Sequence, residues 1–302
     1  MTGILLHQYE GSPFSEKVRV CLGVKGLSWG AVDQPVIMPK PELTPLTGGY
    51  RRIPVMQIGA DIYLDSTLIV RELERRFRGP SLFPYGAAGL DQAQALWTDK
   101  GLFQAAVTVI FGGLGDRVDP AFIKDREALS GQPFNPAAMK AAVPAAQAQL
   151  KAQIALIAEQ LRDGRAFVGG ESPGLADANL YYNLWFVAKA YPAATSLYAD
   201  EAQVLAWMER VKAIGHGRPM RVSPEQALAT AKASQPEPAQ VATADEALAG
   251  RTVTVSALDY GRDAITGVLV GSSPFHVALR RNDPELGDLV VHAPRIGYAL
   301  SA

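Results

Sequence analysis

Apolar positions change their period more than once along this chain. Ile4-Leu5-Leu6-His7-Gln8-Tyr9 is a short apolar run of strand length, and Val18, Val20, Cys21 and Val24 then recur at helical spacing. Between them, Ser12 suits a helix N-cap, Pro13 the first helical position and Glu16 the opening turn. The pattern predicts a strand, a tight turn and a helix ending near Lys25-Gly26. Trp29 to Val32 predicts a second short strand, and Pro35, Pro39, Pro41 and Pro45 exclude a long helix through residues 33–47. Pro54 opens a third strand that turns at Gly59-Ala60 into Ile62-Tyr63-Leu64. Asp65-Ser66-Thr67 then precede an amphipathic helix carrying Leu68, Ile69, Val70 and Leu73.

Gly79-Pro80-Ser81-Leu82-Phe83-Pro84 is a turn-rich joint, after which the period is helical. Leu96, Trp97, Leu102, Phe103, Val107 and Ile110 share one face, as do Leu150, Ile154, Ile157 and Leu161 in the alanine-rich stretch from Ala137. Residues 116–136, with Gly131, Pro133 and Pro136, predict a loop or broken helix. Gln235-Pro236-Glu237-Pro238-Ala239 marks a linker leading to a short helix near Ala244 to Ala249. Beyond it the period is two, in Thr252–Ser256, Ile265–Val270, Phe275–Leu279 and Leu289–His292, which predicts a small antiparallel barrel or sheet. The expected class is α+β, with domains at 1–79, 86–222 (all-helical) and 250–302 (β accessory), and a linker at 223–249.

Charge changes this picture little, because 29 Lys+Arg stand against 30 Asp+Glu and no global field recruits nucleic acid or an acidic membrane. The single cysteine, Cys21, excludes an intrachain disulfide and reads as a small buried hydrophobe in a reducing compartment. Met1-Thr2-Gly3 lacks the basic start of a signal peptide, and the longest apolar run, Ala105 to Leu114, is too short to span a bilayer. The expectation is a cytoplasmic protein with neither a membrane nor a nucleic-acid partner.

Candidate chemistry begins at the first turn. Backbone N–H groups at a helix N-terminus favour negative charge, and a thiolate held there is stabilised. The turn has no cysteine, so the thiol has to arrive on a ligand. A plain helix cap accounts for Ser12 equally well on the turn alone. Ser12-Pro13-Phe14-Ser15-Glu16-Lys17-Val18-Arg19 nevertheless resembles the active-site turn of the cytosolic glutathione transferases in its serine-type version. The resemblance carries motifs over residues 3–78 and continues as a helical pattern to about 220. It implies a thioredoxin-like first domain, glutathione as co-substrate, and Ser12 donating its hydroxyl proton to the glutathione sulfur, with Ser15 the poorer candidate. It implies a cis Ile53-Pro54 bond whose Ile53 backbone pairs with the cysteinyl part of glutathione. Asp65 and Ser66, which by themselves explain a helix cap, would hold the γ-glutamyl end. Phe14 and Arg52 complete the implied binding set. The serine-type turn with Val18-Arg19 is also similar to isomerase-type transferases of aromatic catabolism, whose further basic residues have no clear match here.

In the family, the region after the fourth helix shapes the pocket for a small electrophile. Phe111, Phe122 and Phe134 fall there, although such spacing also suits core. Gly174 stands at the cap of the family's central helix while Asp177 keeps the reciprocal cap, a structural role. In the tail, His276, His292, Arg280 and Arg295 match no metal spacing and read as solvated faces of an accessory domain that the glutathione chemistry does not need. The resemblance further implies a homodimer, placed on Ile69, Val70 and Leu73. Two functions remain: an enzyme that activates the glutathione thiol, and a glutathione-binding or scaffold protein of the same fold.

Overall fold

The computed structural model describes residues 3–302; Met1 and Thr2, on which the signal-peptide expectation rests, lie outside the described residues. Strand β1 (Ile4–Gln8) is buried along its whole length, which is why it reads as a continuous apolar run rather than an alternating one. Helix α1 (Pro13–Val24) returns the chain to β2 (Ser28–Asp33), parallel to β1 with Ile4 opposite Trp29. The hairpin β3 (Val55–Ile58) and β4 (Asp61–Leu64) continues the sheet antiparallel to β1. Helix α3 (Ser66–Arg76) packs with α1 on one face, burying Leu6, Leu22, Met56, Ile69 and Leu73 between helices and sheet. A single turn, α2 (Thr44–Thr47), lies among the prolines.

In the helical domain, α4 (Ala88–Trp97) passes through a π-turn (Thr98–Leu102) into α5 (Phe103–Leu114). Helices α7 (Pro136–Gln160), α8 (Leu175–Ala190) and α9 (Ala202–Ile214) close a core with Ile110, Leu150, Ile154, Leu184 and Trp207. The segment expected as a loop or broken helix instead holds α6 (Pro120–Ser130), capped by Asp119 and stopped by Gly131 in the left-handed region. No residue of α6 is buried, so it leaves no periodic apolar signal.

Beyond α9 the chain returns to the first domain. Strand β5 (Arg218–Arg221), placed in the helical domain from sequence, pairs in parallel with β2. The stretch expected as a linker opens with α10 (Pro224–Lys232), which lies across the other face of the sheet beside Leu5 and Val32. There the Gln57 side chain donates from Nε2 to Ala227 O at 2.9 Å, and its Oε1 accepts from His7 Nε2 at 2.9 Å. Farther on, Glu237 pairs with Arg76, and its N–H donates to Asp61 at 2.8 Å. This segment is a strap laid over the domain.

The last strands, β6 (Thr252–Ala257), β7 (Ile265–Ser272), β8 (His276–Asp283), β9 (Gly287–Pro294) and β10 (Tyr298–Ser301), do not form a separate barrel. Strand β9 pairs in parallel with β4, so the ten strands of the described residues make one sheet in the order β10-β6-β7-β8-β9-β4-β3-β1-β2-β5. Its apolar face is shared: Leu43, Leu46, Val55, Ile62 and Leu64 pack with Leu269, Leu279, Leu289 and Val291. At the seam, buried His292 hydrogen-bonds Asp61 at 2.8 Å and stacks on Tyr63. His292 is therefore a joint between domains and not part of a solvated face. Ile69 and Leu73 point into the sheet core and Val70 into the helical core, so those three residues offer no surface to a second copy.

A chain ending at Ser234 would uncover the β4 edge and the apolar residues beneath it. It is expected to be insoluble, and a soluble truncated protein with a cooperative melt would contradict the shared core. In the full chain, Leu279→Ala should cost about 2–5 kcal/mol in urea unfolding.

Candidate active site

The turn after β1 is held by its own backbone. Ser12 N–H donates to Tyr9 O at 3.0 Å, and Ser12 Oγ accepts from Ser15 N–H at 3.2 Å as the α1 cap. Pro13 at the next position has no N–H to satisfy, so the helix starts there at no cost. Arg19 braces the turn from behind, donating to Tyr9 O at 3.3 Å, Glu10 O at 3.0 Å and Glu16 at 2.9 Å. Burial would push the Glu16 carboxyl up, but His216 and Arg19 more than offset it and hold it lowered. Burial pushes the neighbouring Tyr9 phenol up against the pull of Arg126 and Ser12. Ser15 is fully buried, and its Oγ has no hydrogen-bond partner among the described residues.

The Ile53-Pro54 bond is cis. Asp65, before α3, has φ of 69°, a left-handed value that a non-glycine residue rarely adopts. Its Oδ1 accepts from Thr67 N–H at 2.9 Å, and its Oδ2 accepts from the Tyr298 hydroxyl at 3.4 Å. Ser66 follows, buried, as the first residue of α3.

Two adjoining cavities bring all seven residues chosen from sequence together. A cavity of about 270 Å³ is lined by Ser12, Phe14, Arg52 and Ile53, and one of about 150 Å³ by Phe14, Arg52, Ile53, Pro54, Asp65 and Ser66. The larger chamber is walled by phenylalanines: Phe14 lies 4.8 Å from Phe103, and Phe111 lies 5.5 Å from Phe122 and 5.1 Å from Phe134. Phe111, Phe122 and Phe134 thus line a cavity. Its rim is cationic, with Lys40, Arg51, Arg52 and Arg126 around Asp125. Lys40 donates to Pro35 O and is pushed down to about 8, by burial first and by Arg126 second. Sequence reading passed over Lys40 because its proline-rich surroundings carry no pattern. It also passed over Asp259, Tyr260 and Tyr298, which line the chambers from the C-terminal strands. The tail is therefore not set apart in space from the chambers, contrary to the separation expected of a domain behind a linker.

A buried ion pair supports the turn from the helical domain. Lys17 Nζ on α1 meets Asp99 on the π-turn at 2.9 Å with its side chain 1% exposed, and the Tyr182 hydroxyl donates to Asp99 at 2.9 Å. Asp177 keeps a structural place, accepting from Gly174 N–H at 3.0 Å, Val168 N–H at 2.9 Å and Trp207 Nε1 at 2.8 Å. A Cβ at Gly174 would stand 2.7 Å from Leu82 O, which explains the glycine at that cap. His276 and His292 line a separate cavity of about 460 Å³ at the sheet seam that shares no residue with either chamber. Arg295 pairs with Asp245, and Arg280 is exposed.

A strand–helix–strand domain with a cis-proline loop, a hydroxyl-capped helix and an attached helical domain defines the class of thioredoxin-fold transferases. Residues 6–81 match the family model described as glutathione S-transferase, N-terminal domain, and residues 106–218 match a domain of unknown function. A GST-like protein from Pseudomonas syringae is 33% identical over 100% of this chain and 99% of its own, with a TM-score of 0.82. The chain belongs to the glutathione S-transferase-like family. A tau class glutathione S-transferase from mango (Mangifera indica) shares the fold at 18% identity over 70% of this chain and 89% of its own, with a TM-score of 0.54. A rice glutathione S-transferase solved in complex with glutathione does so at 19% identity over 74% and 94%, with a TM-score of 0.51. No curated protein matches the sequence. Among the described residues, no helix is long and apolar enough to cross a membrane.

Removing one partner of the Lys17–Asp99 pair leaves the other charge buried and uncompensated. Asp99→Ala is therefore expected to lower stability by about 3–5 kcal/mol in denaturant unfolding. A loss within the scatter of surface substitutions would place the support of the turn elsewhere.

Proposed function

We propose that the protein binds glutathione across the two chambers and directs its sulfur, held at Ser12, against a small electrophile in the phenylalanine chamber. The observation that carries this reading is the convergence of Ser12, the cis-proline loop and the Asp65-Ser66 pair on one groove. The groove also fits the ligand in its charge. The Arg52 and Arg126 side chains line the larger chamber beside Lys40 and Arg51. Acceptor oxygens of a peptide are the complement of such guanidinium and ammonium donors.

When bound, glutathione supplies a thiol nucleophile. Ser12 Oγ accepts the Ser15 N–H, and its O–H, which neighbours the Tyr9 phenol, would turn to donate toward a sulfur at the helix N-terminus. Donation and the helix dipole both favour the charged sulfur over the neutral thiol. Asp65 offers a carboxylate for an ammonium, and Lys40, with no carboxylate partner among the described residues, offers a cation for the far carboxylate. The phenylalanine walls exclude water and favour an apolar electrophile. Cys21 takes no part: it is fully buried, and burial pushes its thiol up to about 12. Thiol–disulfide exchange through a protein cysteine is thereby disfavoured. A binding protein without turnover is the second reading, favoured by the engagement of Arg52 with Asp259 at 2.6 Å. The homodimer implied by the family resemblance needs a face other than Ile69, Val70 and Leu73, and cytoplasmic residence stays part of the proposal.

Calorimetry with glutathione, followed by turnover of a panel of apolar electrophiles, tests both readings; absence of glutathione binding would sink both, and binding without turnover would select the second. Ser12→Ala should lower turnover roughly ten- to a hundredfold, the worth of one hydrogen bond to a charged group at about 1.5–3 kcal/mol. Turnover that survives this change but not Ser15→Ala would move the role to Ser15. Lys40 sets a pH dependence whose sign follows from its lowered value. Its cation is complete below about 8 and is lost as pH rises through that value. Affinity for S-methylglutathione, which has no thiol to ionise, should be level below pH about 8 and fall above it. In Lys40→Arg that fall should be reduced, because the guanidinium does not titrate there.

A further inference from the structure

We propose that the C-terminal β extension is part of the glutathione site: Tyr260 touches the bound peptide where it crosses Ile53, and Tyr298 positions Asp65 for the peptide's ammonium. This inference rests on the glutathione reading and adds to it the two residues that the thioredoxin-like domain does not itself supply.

Phe14, Arg52, Ile53 and Tyr260 are the four residues that line both chambers. Any ligand that reaches from Asp65 to Ser12 passes between them. Three come from the first domain, and Tyr260 comes from the loop between β6 and β7. The face of its ring lies 3.9 Å from the Arg52 guanidinium, and its hydroxyl bonds to no described residue. A phenol that lines both chambers without an internal partner is available to a peptide amide or carboxylate.

The loop is fastened on both sides of Tyr260. Asp259 accepts from Arg52 at 2.6 Å, and Gly261 N–H donates to Leu129 O of α6 at 2.7 Å. Asp263 stands 4.0 Å from Arg51. Gly261 has φ of +55°, and a Cβ there would stand 2.8 Å from both Arg52 Nε and Leu129 Cδ1. The loop therefore bridges the cis-proline loop and the helical domain at a fixed height above Ile53. Attachment of the extension needs none of this, because the β4–β9 pairing and the shared core already secure it.

Tyr298 acts at the other end of the groove. Its hydroxyl stands 3.2 Å from the Tyr50 hydroxyl and donates to Asp65 Oδ2 at 3.4 Å. With Oδ1 taken by Thr67 N–H, the bond from Tyr298 fixes the rotation of the carboxylate. An ammonium that pairs with Asp65 meets an oxygen pair already turned toward the groove. This is the form of preorganisation that saves ordering entropy on binding.

The full-length protein is the material for the test, because truncation uncovers the shared core. Two ligands are measured by calorimetry: glutathione, and glutaryl-cysteinylglycine, which lacks only the ammonium. Wild-type protein that binds neither would overturn the glutathione reading and this inference with it. Given wild-type binding, Tyr260→Ala should weaken both ligands about tenfold or more, and Tyr260→Leu, which keeps apolar bulk, serves if the alanine variant does not fold. Unchanged affinity in the folded Tyr260 variant would overturn the contact while leaving the glutathione reading intact. Tyr298→Phe should weaken glutathione about tenfold and leave the ammonium-free analogue unaffected. Equal loss for both ligands, or loss for neither, would overturn the positioning role.

Discussion

Strand β4 would be an edge if the thioredoxin-like domain stood alone, and its pairing with β9 is the constraint on which the rest of the molecule depends. An open edge with buried apolar neighbours invites association with another chain. Here Asp61, Ile62 and Tyr63 face Val290, Val291 and His292 in parallel register, and the edge is covered within the chain. Parallel pairing requires a long crossover. The strap with α10 supplies it, passing over the face of the sheet opposite α1 and α3. Covering the edge also fixes where the loop between β6 and β7 comes to lie, which is over the cis-proline loop.

The groove is consequently assembled from three parts with different tasks. The first domain contributes backbone geometry: a capped helix start, a cis-proline loop and a carboxylate in an unusual left-handed conformation. The helical domain contributes volume, as phenylalanines from α5, α6 and the segment before α7, and it pins α1 through Asp99. A π-turn interrupts the α4–α5 run where Asp99 stands, and such bulges recur at functional positions in helices. The extension contributes aromatic hydroxyls and an acid that engages Arg52. Removing any one part leaves a groove that lacks a wall or an anchor.

The first eighty residues were legible from sequence because their signals are local. Ser12 before Pro13, Pro54 at a strand head and Asp65-Ser66 before a helix each act within a few residues of themselves. Helix α6 was missed because it buries nothing, and its Asp119-Pro120 start and Gly131 stop were outweighed by nearby prolines. Strand β5 and the β4–β9 seam were missed for another reason. Parallel pairing between distant segments leaves no mark in either one, so four stretches with alternating pattern read as a domain apart. The helix in the presumed linker was signalled by Ser223, Pro224 and Gln226 as a capping box, and the proline-rich stretch behind it obscured that signal. Tyr260 and Tyr298 carry no local signature at all; their place in the groove exists only once the sheet is closed.

If the proposed glutathione chemistry holds, the same closure bears on how it would be protected. A thiolate is useful only if water and stray cations are kept from it while an electrophile is admitted. In the larger chamber the apolar side is built from rings that pack against one another, and the polar side from cations of which Arg51 and Arg126 share Asp125. With Arg52 engaged by Asp259, Lys40 is the chamber's cation without a carboxylate partner among the described residues, so entering negative charge meets net attraction there and a cationic ligand meets repulsion. The distribution suits an anionic peptide beside an uncharged apolar partner, and on the proposed reading the phenylalanine walls would hold that partner against the sulfur. On that reading, selectivity for a second substrate would lie in ring geometry on α5 and α6, of which α6 is anchored to the groove by Arg51–Asp125 and by the Gly261–Leu129 bond of the extension.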